Sequence, residues 1–353
     1  MKTHLLIVQL LSLSLFFAGC NSSGLVLPQG TGWPYEAVVV MEQKYWNNEV
    51  GEAVKDELGA SIFGLPQPEP AIKMTKVTPE VFDGILHYAK NILLVNVNPS
   101  LYTKVSVKHE INRWAQNQVV LMMNAPDKES IVQYLKDRKG VLVNFLTRSE
   151  MERSFQLLEK NYSKSMMEKL QAKFDIKLNI PSEMTFFRDT TDFFWTSNNA
   201  NSGRTDVMVY TFPYTDPQTF TINYLVNKRD SVLRENIPGA YPNSYMATEL
   251  RDGLDYKPIS HLGKYAGVMR GLWKMVGDMM GGPFISLVRV DEANNRIVVV
   301  ESFVYAPGTE KRNLIRRGES ILYTLRLPGE FDIPVTKSLT TDQEQLKSKE
   351  DGE

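Results

Sequence analysis

The spacing of apolar positions changes several times along the chain, and each change predicts an element. Ala37 to Met41 in "WPYEAVVVM" is an unbroken apolar run behind Pro34, the pattern of a buried strand. Trp46, Val50, Val54 and Leu58 then recur every fourth residue along one helix face, with Gly59 as the stop. "FGLPQPEPAIKM" is too rich in proline for a helix and predicts an extended connection. Thr78-Pro79 is an N-cap and first-turn pair, so a helix is expected next, with Phe82, Ile85 and Leu86 turned inward. "NILLVNVNP" and "QVVLMMNAP" are two further strand-like runs. Strands alternating with helices predict a small α/β layer domain over residues 33–150.

From Asp127 to Phe174 the period is helical throughout. Ile131, Leu135, Leu142 and Phe145 mark one face, and Thr147-x-x-Glu150 has the form of a capping box that would restart the helix. Met151, Phe155, Leu158, Tyr162, Met166, Leu170 and Phe174 continue the stripe, which reads as core packing and predicts a connecting helix over 151–175.

The second half is built differently. "FDIKLNIPSEMTFFRDTTDFFWTSN" and "GRTDVMVYTFPYTDP" hold strand-like runs between Ser, Asn, Gly and Asp clusters. Asp216-Pro217 opens a helix whose inner face would be Ile222, Leu225, Val226, Leu233 and the aliphatic stem of Arg229. Strands are predicted at "KYAGVMRGLW", "GGPFISLVRV" and "RIVVVESFVYAP", with "DEANN" as a hairpin loop between the last two. Gly308-Thr309 would cap a last helix carrying Leu314, Ile315, Ile321 and Leu322 inward. The expected fold is therefore α+β: the α/β layer domain, the long helix, then an antiparallel-sheet sandwich over 176–328. The order of its elements resembles the PsbP-like sandwich, at fold level only. Residues 329–353, ending in the polar "TKSLTTDQEQLKSKEDGE", are expected to be a disordered tail.

The N-terminus carries a different signal. Leu5 to Phe17 is apolar apart from Gln9, Ser12 and Ser14, too short to span a bilayer but of signal-peptide length. Ala18, Gly19 and Cys20 follow, and Cys20 is the one cysteine of the 353 residues. An apolar residue, two small ones and a cysteine resemble a bacterial lipoprotein signal. That resemblance implies a leader at 1–19, lipid on Cys20 and anchorage to a membrane, with the protein facing the periplasm. "NSSGLVLPQGTG" then predicts a flexible tether over 20–32.

Charge is nearly balanced, 40 basic against 41 acidic residues, which points to no nucleic-acid partner. A lone cysteine removes cysteine metal clusters, and "HEINR" has Arg113 where a zinc-protease helix needs its second histidine. No Gly-x-Ser-x-Gly, Ser-x-x-Lys, phosphate-binding or dinucleotide loop occurs. No catalytic residue, cofactor or metal is assigned. "MRGLWKMVGDMMGGPF" is the stretch that most invites a ligand, offering Arg270, Trp273, Met275, Asp278, Met279 and Met280 as a candidate binding surface. The alternative is a hairpin whose Met and Trp fill the core.

"WPYEAVVVM", "GLPQPEP", "NILLVNVNP", "TFPYTDPQTF", "KRDSVLRENIPG", "RGLWKM", "GGPF" and "FVYAPGTEKRNLIR" together resemble the bacterial lipoproteins catalogued as domain of unknown function 4837. The resemblance implies an envelope protein and no activity. The expected function is a lipid-anchored binding or adaptor module for an envelope protein or another envelope component. A hydrolase of an envelope polymer, using Asp192, Asp206 or Asp278 with His261, is the competing reading.

Overall fold

The computed structural model describes residues 27–339. The leader, Cys20, the tether up to residue 26 and the tail from residue 340 lie outside the described residues.

Residues 27–32, expected to be tether, are bonded in place. The Gly30 amide donates to Gln116 O at 2.9 Å, and the Thr31 amide donates to the Tyr88 carbonyl at 2.7 Å. Beyond this strap lies a five-stranded sheet ordered β2-β1-β3-β5-β4. Its strands are β1 (Glu36–Val40), β2 (Lys73–Val77), β3 (Asn91–Val97), β4 (Ser106–Ile111) and β5 (Val119–Ala125). All are parallel except β4, which runs antiparallel along the edge of β5. The apolar runs predicted as strands are β1, β3 and β5. The two that went unseen, β2 in the supposed extended connection and β4, are edge strands with mostly solvated side chains. Water on both faces leaves them no apolar period to detect.

One face of the sheet is covered by α1 (Gln43–Trp46), α2 (Glu49–Leu58) and α3 (Lys128–Asp137). Trp46, Val50, Val54 and Leu58 are all buried there, as their spacing requires. The helix expected after Thr78-Pro79 does not form. Two short 3-10 turns, Pro79–Val81 and Gly84–Tyr88, take its place, because Gly84 adopts φ +52° and breaks the run. Phe82 and Leu86 still pack on the sheet, but Ile85 points to solvent.

The helical stretch after Asp127 is three helices. Gly140, at φ +93°, ends the first connection, and α4 (Val141–Lys160) starts with its amides on the Glu57 carboxylate, from Leu142 N at 2.9 Å. Nothing restarts at Thr147: α4 runs straight through, and Glu150 turns inward to accept from Asn91 Nδ2 at 2.6 Å. Leu142, Val143 and Leu146 of α4 belong to the first core, while Leu158 belongs to the second. The connecting helix therefore begins at Val141, ten residues before the expected 151, and each end is rooted in a different domain. Ser163 caps α5 (Lys164–Phe174).

The second domain is one antiparallel sheet ordered β10-β11-β12-β13-β8-β7-β6, with β9 also paired to β11. The strands are β6 (Phe186–Thr190), β7 (Phe193–Ser197), β8 (Arg204–Pro213), β9 (Tyr245–Glu249), β10 (Asp255–His261), β11 (Lys264–Val276), β12 (Gly281–Asp291) and β13 (Arg296–Tyr305). Alternation along β13 sends Val298 and Val300 to one face and Ile297 and Val299 to the other. The first face is covered by α5 and α7 (Arg312–Leu322), the second by α6 (Ile222–Asn236). The mixed α+β architecture and the antiparallel second sheet agree with the sequence reading.

Five local expectations need correction. Ile176, Leu178 and Ile180 are buried but form no strand, only the single bridge Lys177–Arg326. Ile222 is exposed rather than inward, and Arg229 is buried to its guanidinium rather than by its stem alone. The last helix is not capped by Gly308-Thr309. Its first amides, Lys311 N at 2.7 Å and Arg312 N at 2.8 Å, donate to the carboxylate of Glu69 from the first domain. The chain also stays packed past residue 328, with Glu330 paired to the buried Arg289 and Val335 seated against Met151 and Phe155. No helix among the described residues is long and apolar enough to cross a membrane.

Candidate functional site

The six residues read from "MRGLWKMVGDMMGGPF" do not form a common surface. The strand β11 continues to Val276, and its period of two points Trp273 and Met275 into the core under α6. Trp273 donates Nε1–H to the Val304 carbonyl at 3.1 Å and meets Phe303 edge-on. Arg270 faces the opposite side and pairs with Glu319 of α7. Asp278 closes the hairpin turn by accepting from the Met279 amide at 2.6 Å, and Met280 is partly buried. Only Met279 stands free, at 100 % exposure. Trp273 and Met275 fill the core, and the alternation Met269-x-Gly271-x-Trp273-x-Met275 is the sequence signal of that.

The residues named for hydrolysis do not meet either. Asp206 accepts from Trp195 Nε1 and Arg204 Nε, each at 2.9 Å, and burial raises its carboxyl pKa against their pull. Asp192 lies in the exposed turn between β6 and β7. His261 is buried at the end of β10 with Nε2 3.0 Å from the Tyr323 carbonyl, so Nε2 carries the proton. Burial, followed by the charge of Arg289, lowers its pKa to about 4. None of the three carboxylates is its hydrogen-bond partner. Among the described residues no cluster of three or more His, Cys, Asp or Glu could hold a metal ion.

The domains meet through polar groups drawn from distant parts of the chain. Glu319 is held by Arg270 and by Arg316 NH1 at 2.8 Å, and Arg316 also approaches the buried ring of Tyr35. Burial works to raise the Glu319 carboxyl, but the two guanidiniums outweigh it and hold it at about 2. Glu69 on the α7 amides and Arg312 NH1 on the Pro70 carbonyl, at 3.1 Å, complete the joint. Through Tyr35, Glu69 and Pro70 these contacts tie the first domain to α7.

Residues 33–35, α4 and α7, with residues 181–183, border a cleft of about 630 Å³. Trp33, Leu157, Leu158 and Leu314 form its apolar wall, and the Arg317–Glu183 ion pair stands at its rim. Trp33 is 73 % exposed and Leu157 58 %, large apolar side chains left in water on facing elements. Pro34, Ser154 and Leu157 also line a second, adjoining compartment of about 430 Å³. The residues lining that compartment include Lys90, Arg153 and Lys160. Arg153 spans Glu150, Asn91 Oδ1 and the Asn117 carbonyl, and Lys90 donates to the Gly32 carbonyl at 3.1 Å. Lys160 is exposed and has no ion pair among the described residues.

Sequence reasoning missed this cleft. Its walls lie far apart in the chain, and the one local clue was Leu157, out of phase with the buried stripe Met151, Phe155, Leu158.

Residues 163–324 match the family described as Domain of unknown function (DUF4837), and residues 30–159 match a separate one, Domain of unknown function (DUF8532). The DUF4837 match thus covers the second domain and the helix α5, whereas the strings that carry the resemblance run from residue 33 to residue 316. "WPYEAVVVM", "GLPQPEP" and "NILLVNVNP" fall within the other family's span. No curated protein matches the chain.

Proposed function

For a chain whose residues 163–324 match the DUF4837 family, we propose a lipid-anchored envelope protein that works by binding rather than by catalysis, through the cleft at the domain junction. The observation that carries this reading is the pairing of exposed Trp33 and Leu157 across a concave site of ligand size, fixed by the buried junction network. Support for anchorage comes from the leader pattern ending in Cys20. Thirteen residues separate Cys20 from Trp33, a reach of no more than about 45 Å fully extended. An anchor on Cys20 would hold the mouth of the cleft close to the bilayer. Among the described residues His261 has no hydrogen bond to Asp192, Asp206 or Asp278, which supports binding over hydrolysis.

Cys20→Ser tests the anchor. The variant is expected to lose the acyl chains, to leave the membrane fraction, and to keep an unprocessed or aberrantly cut leader. Unchanged membrane fractionation with normal processing would contradict the anchor.

A further inference from the structure

We infer that the junction cleft takes a single anionic amphiphile, its apolar tail against Trp33, Leu157 and Leu314 and its acid group towards Lys160 and Lys90. This rests on the binding reading above and names the class of ligand. The two compartments share a wall and differ in the charge they carry. The larger is apolar, with its one ion pair at the rim, and its volume of about 630 Å³ suits a small ligand. The smaller carries three cations against one carboxylate, and that carboxylate, Glu150, is buried and already engaged by Arg153 and Asn91. Lys160 has no ion pair among the described residues, and Lys90 is met by a carbonyl rather than an acid. An apolar chamber opening onto uncompensated positive charge is complementary to a molecule with a tail at one end and an anion at the other. A neutral apolar ligand would leave the cations unused. A cationic one would face repulsion from Lys160 and from Arg153.

A second copy of the chain is a poorer fit, because the exposed apolar residues face one another across a concavity rather than project from a flat patch. The bilayer surface is the other source of the same chemistry, and the test separates the two.

The experiment uses the natively processed protein in nanodiscs and a diazirine-bearing octanoate, with the matching octanol and octyltrimethylammonium as controls. Adducts are mapped by mass spectrometry. The octanoate probe is expected to label Trp33, Leu157 or Leu314 saturably, at least tenfold more strongly than the cationic probe at equal concentration. Lengthening an unlabelled competitor acid by one methylene should strengthen competition about fourfold until the chamber is full. Lys160→Glu should weaken octanoate labelling about tenfold and leave octanol labelling unchanged, whereas Leu157→Asp should weaken both. Equal labelling by the three probes, or labelling spread over exposed residues such as Met279 and Ile85, would overturn the inference. So would cleft labelling obtained only from a diazirine on a bilayer lipid, which would assign the face to the membrane surface. A cross-link from Leu157 to an envelope component, without octanoate labelling, would remove this inference and leave the binding reading standing. Loss of both signals would remove both.

Discussion

Replacing Glu301 with alanine is expected to destabilise the protein by about 3–5 kcal/mol, the cost of leaving a buried charge without its partner. Glu301 interrupts the apolar run of β13 and faces α6, where Arg229 meets it. Arg229 donates from Nε to both carboxylate oxygens, at 3.0 and 2.9 Å, and from NH2 to Oε1 at 2.7 Å. Its remaining amine donates to Thr248 Oγ1 at 2.8 Å, and the guanidinium lies 3.8 Å from the Phe284 ring centroid. Both side chains are 0 % exposed. Burial pushes the Glu301 carboxyl up, and Arg229 pulls it back without cancelling the rise. Once Glu301 is gone, Arg229 has no acid within reach except Asp230, 3.8 Å away and half in solvent. The double variant Arg229→Met with Glu301→Leu removes both charges, and its stability is expected to lie within about 1–2 kcal/mol of the parent. Urea denaturation of the three proteins checks this. A loss below about 1 kcal/mol for the single variant would mean that water reaches the pair.

Acidification is expected to act through His261. Its pKa is 6.5 in the unfolded chain and about 4 in the fold, because burial and Arg289 both oppose the charged ring. The native imidazole is therefore neutral and the unfolded one takes up the proton first. The stabilisation is complete above about pH 6.5 and is lost as pH falls towards 4, amounting to about 3 kcal/mol at the acid end. Three groups face the ring. Tyr323 offers a carbonyl, Arg289 a positive charge, and Glu330 a carboxylate that Arg289 and the Leu327 amide hold below its usual pKa despite burial. Glu330 keeps its charge in the fold, but the unfolded carboxyl takes up protons near the acid end of this window, so it adds a slope of the same sign there, which His261→Gln leaves in place. His261→Gln retains an N–H for the Tyr323 carbonyl and removes the titration. Its unfolding free energy between pH 6.5 and 4 should fall less steeply than that of the parent. Parallel curves would place the acid sensitivity elsewhere.

Interior elements were legible wherever one physical demand dominated a run of residues. β1, β3, β5, β12 and β13 are buried on both faces or nearly so, and an unbroken apolar string follows from that. β2, β4 and β10 carry polar side chains on solvated edges, and so read as loop. β9 is largely buried but only five residues long, with a polar pair at its end. The buried arginines were partly visible. Arg229 sits at an inner helical phase, and Glu301 stands alone within "RIVVVESFVY", yet nothing in either string says that they face each other. The helix cap from Glu69 onto Lys311 and Arg312 spans more than two hundred residues and could not be read from local spacing. The cleft is illegible for the same reason. Trp33, Leu157 and Arg317 come from the turn before β1, α4 and α7, and only the packed junction brings them together. Trp273, by contrast, looked like a ligand contact because its stretch is rich in Gly and Met, and the strand's alternation sends it inward.

That the junction cleft is the protein's binding site is tested most directly by a photoreactive benzoylphenylalanine in place of Leu157, irradiated in living cells, with the same residue in place of Met279 as control. Both positions are exposed and apolar, but only Leu157 lines the cleft. The account predicts a discrete adduct of defined mass from position 157 and none from 279. No adduct at 157, or the same adducts from both positions, would contradict it.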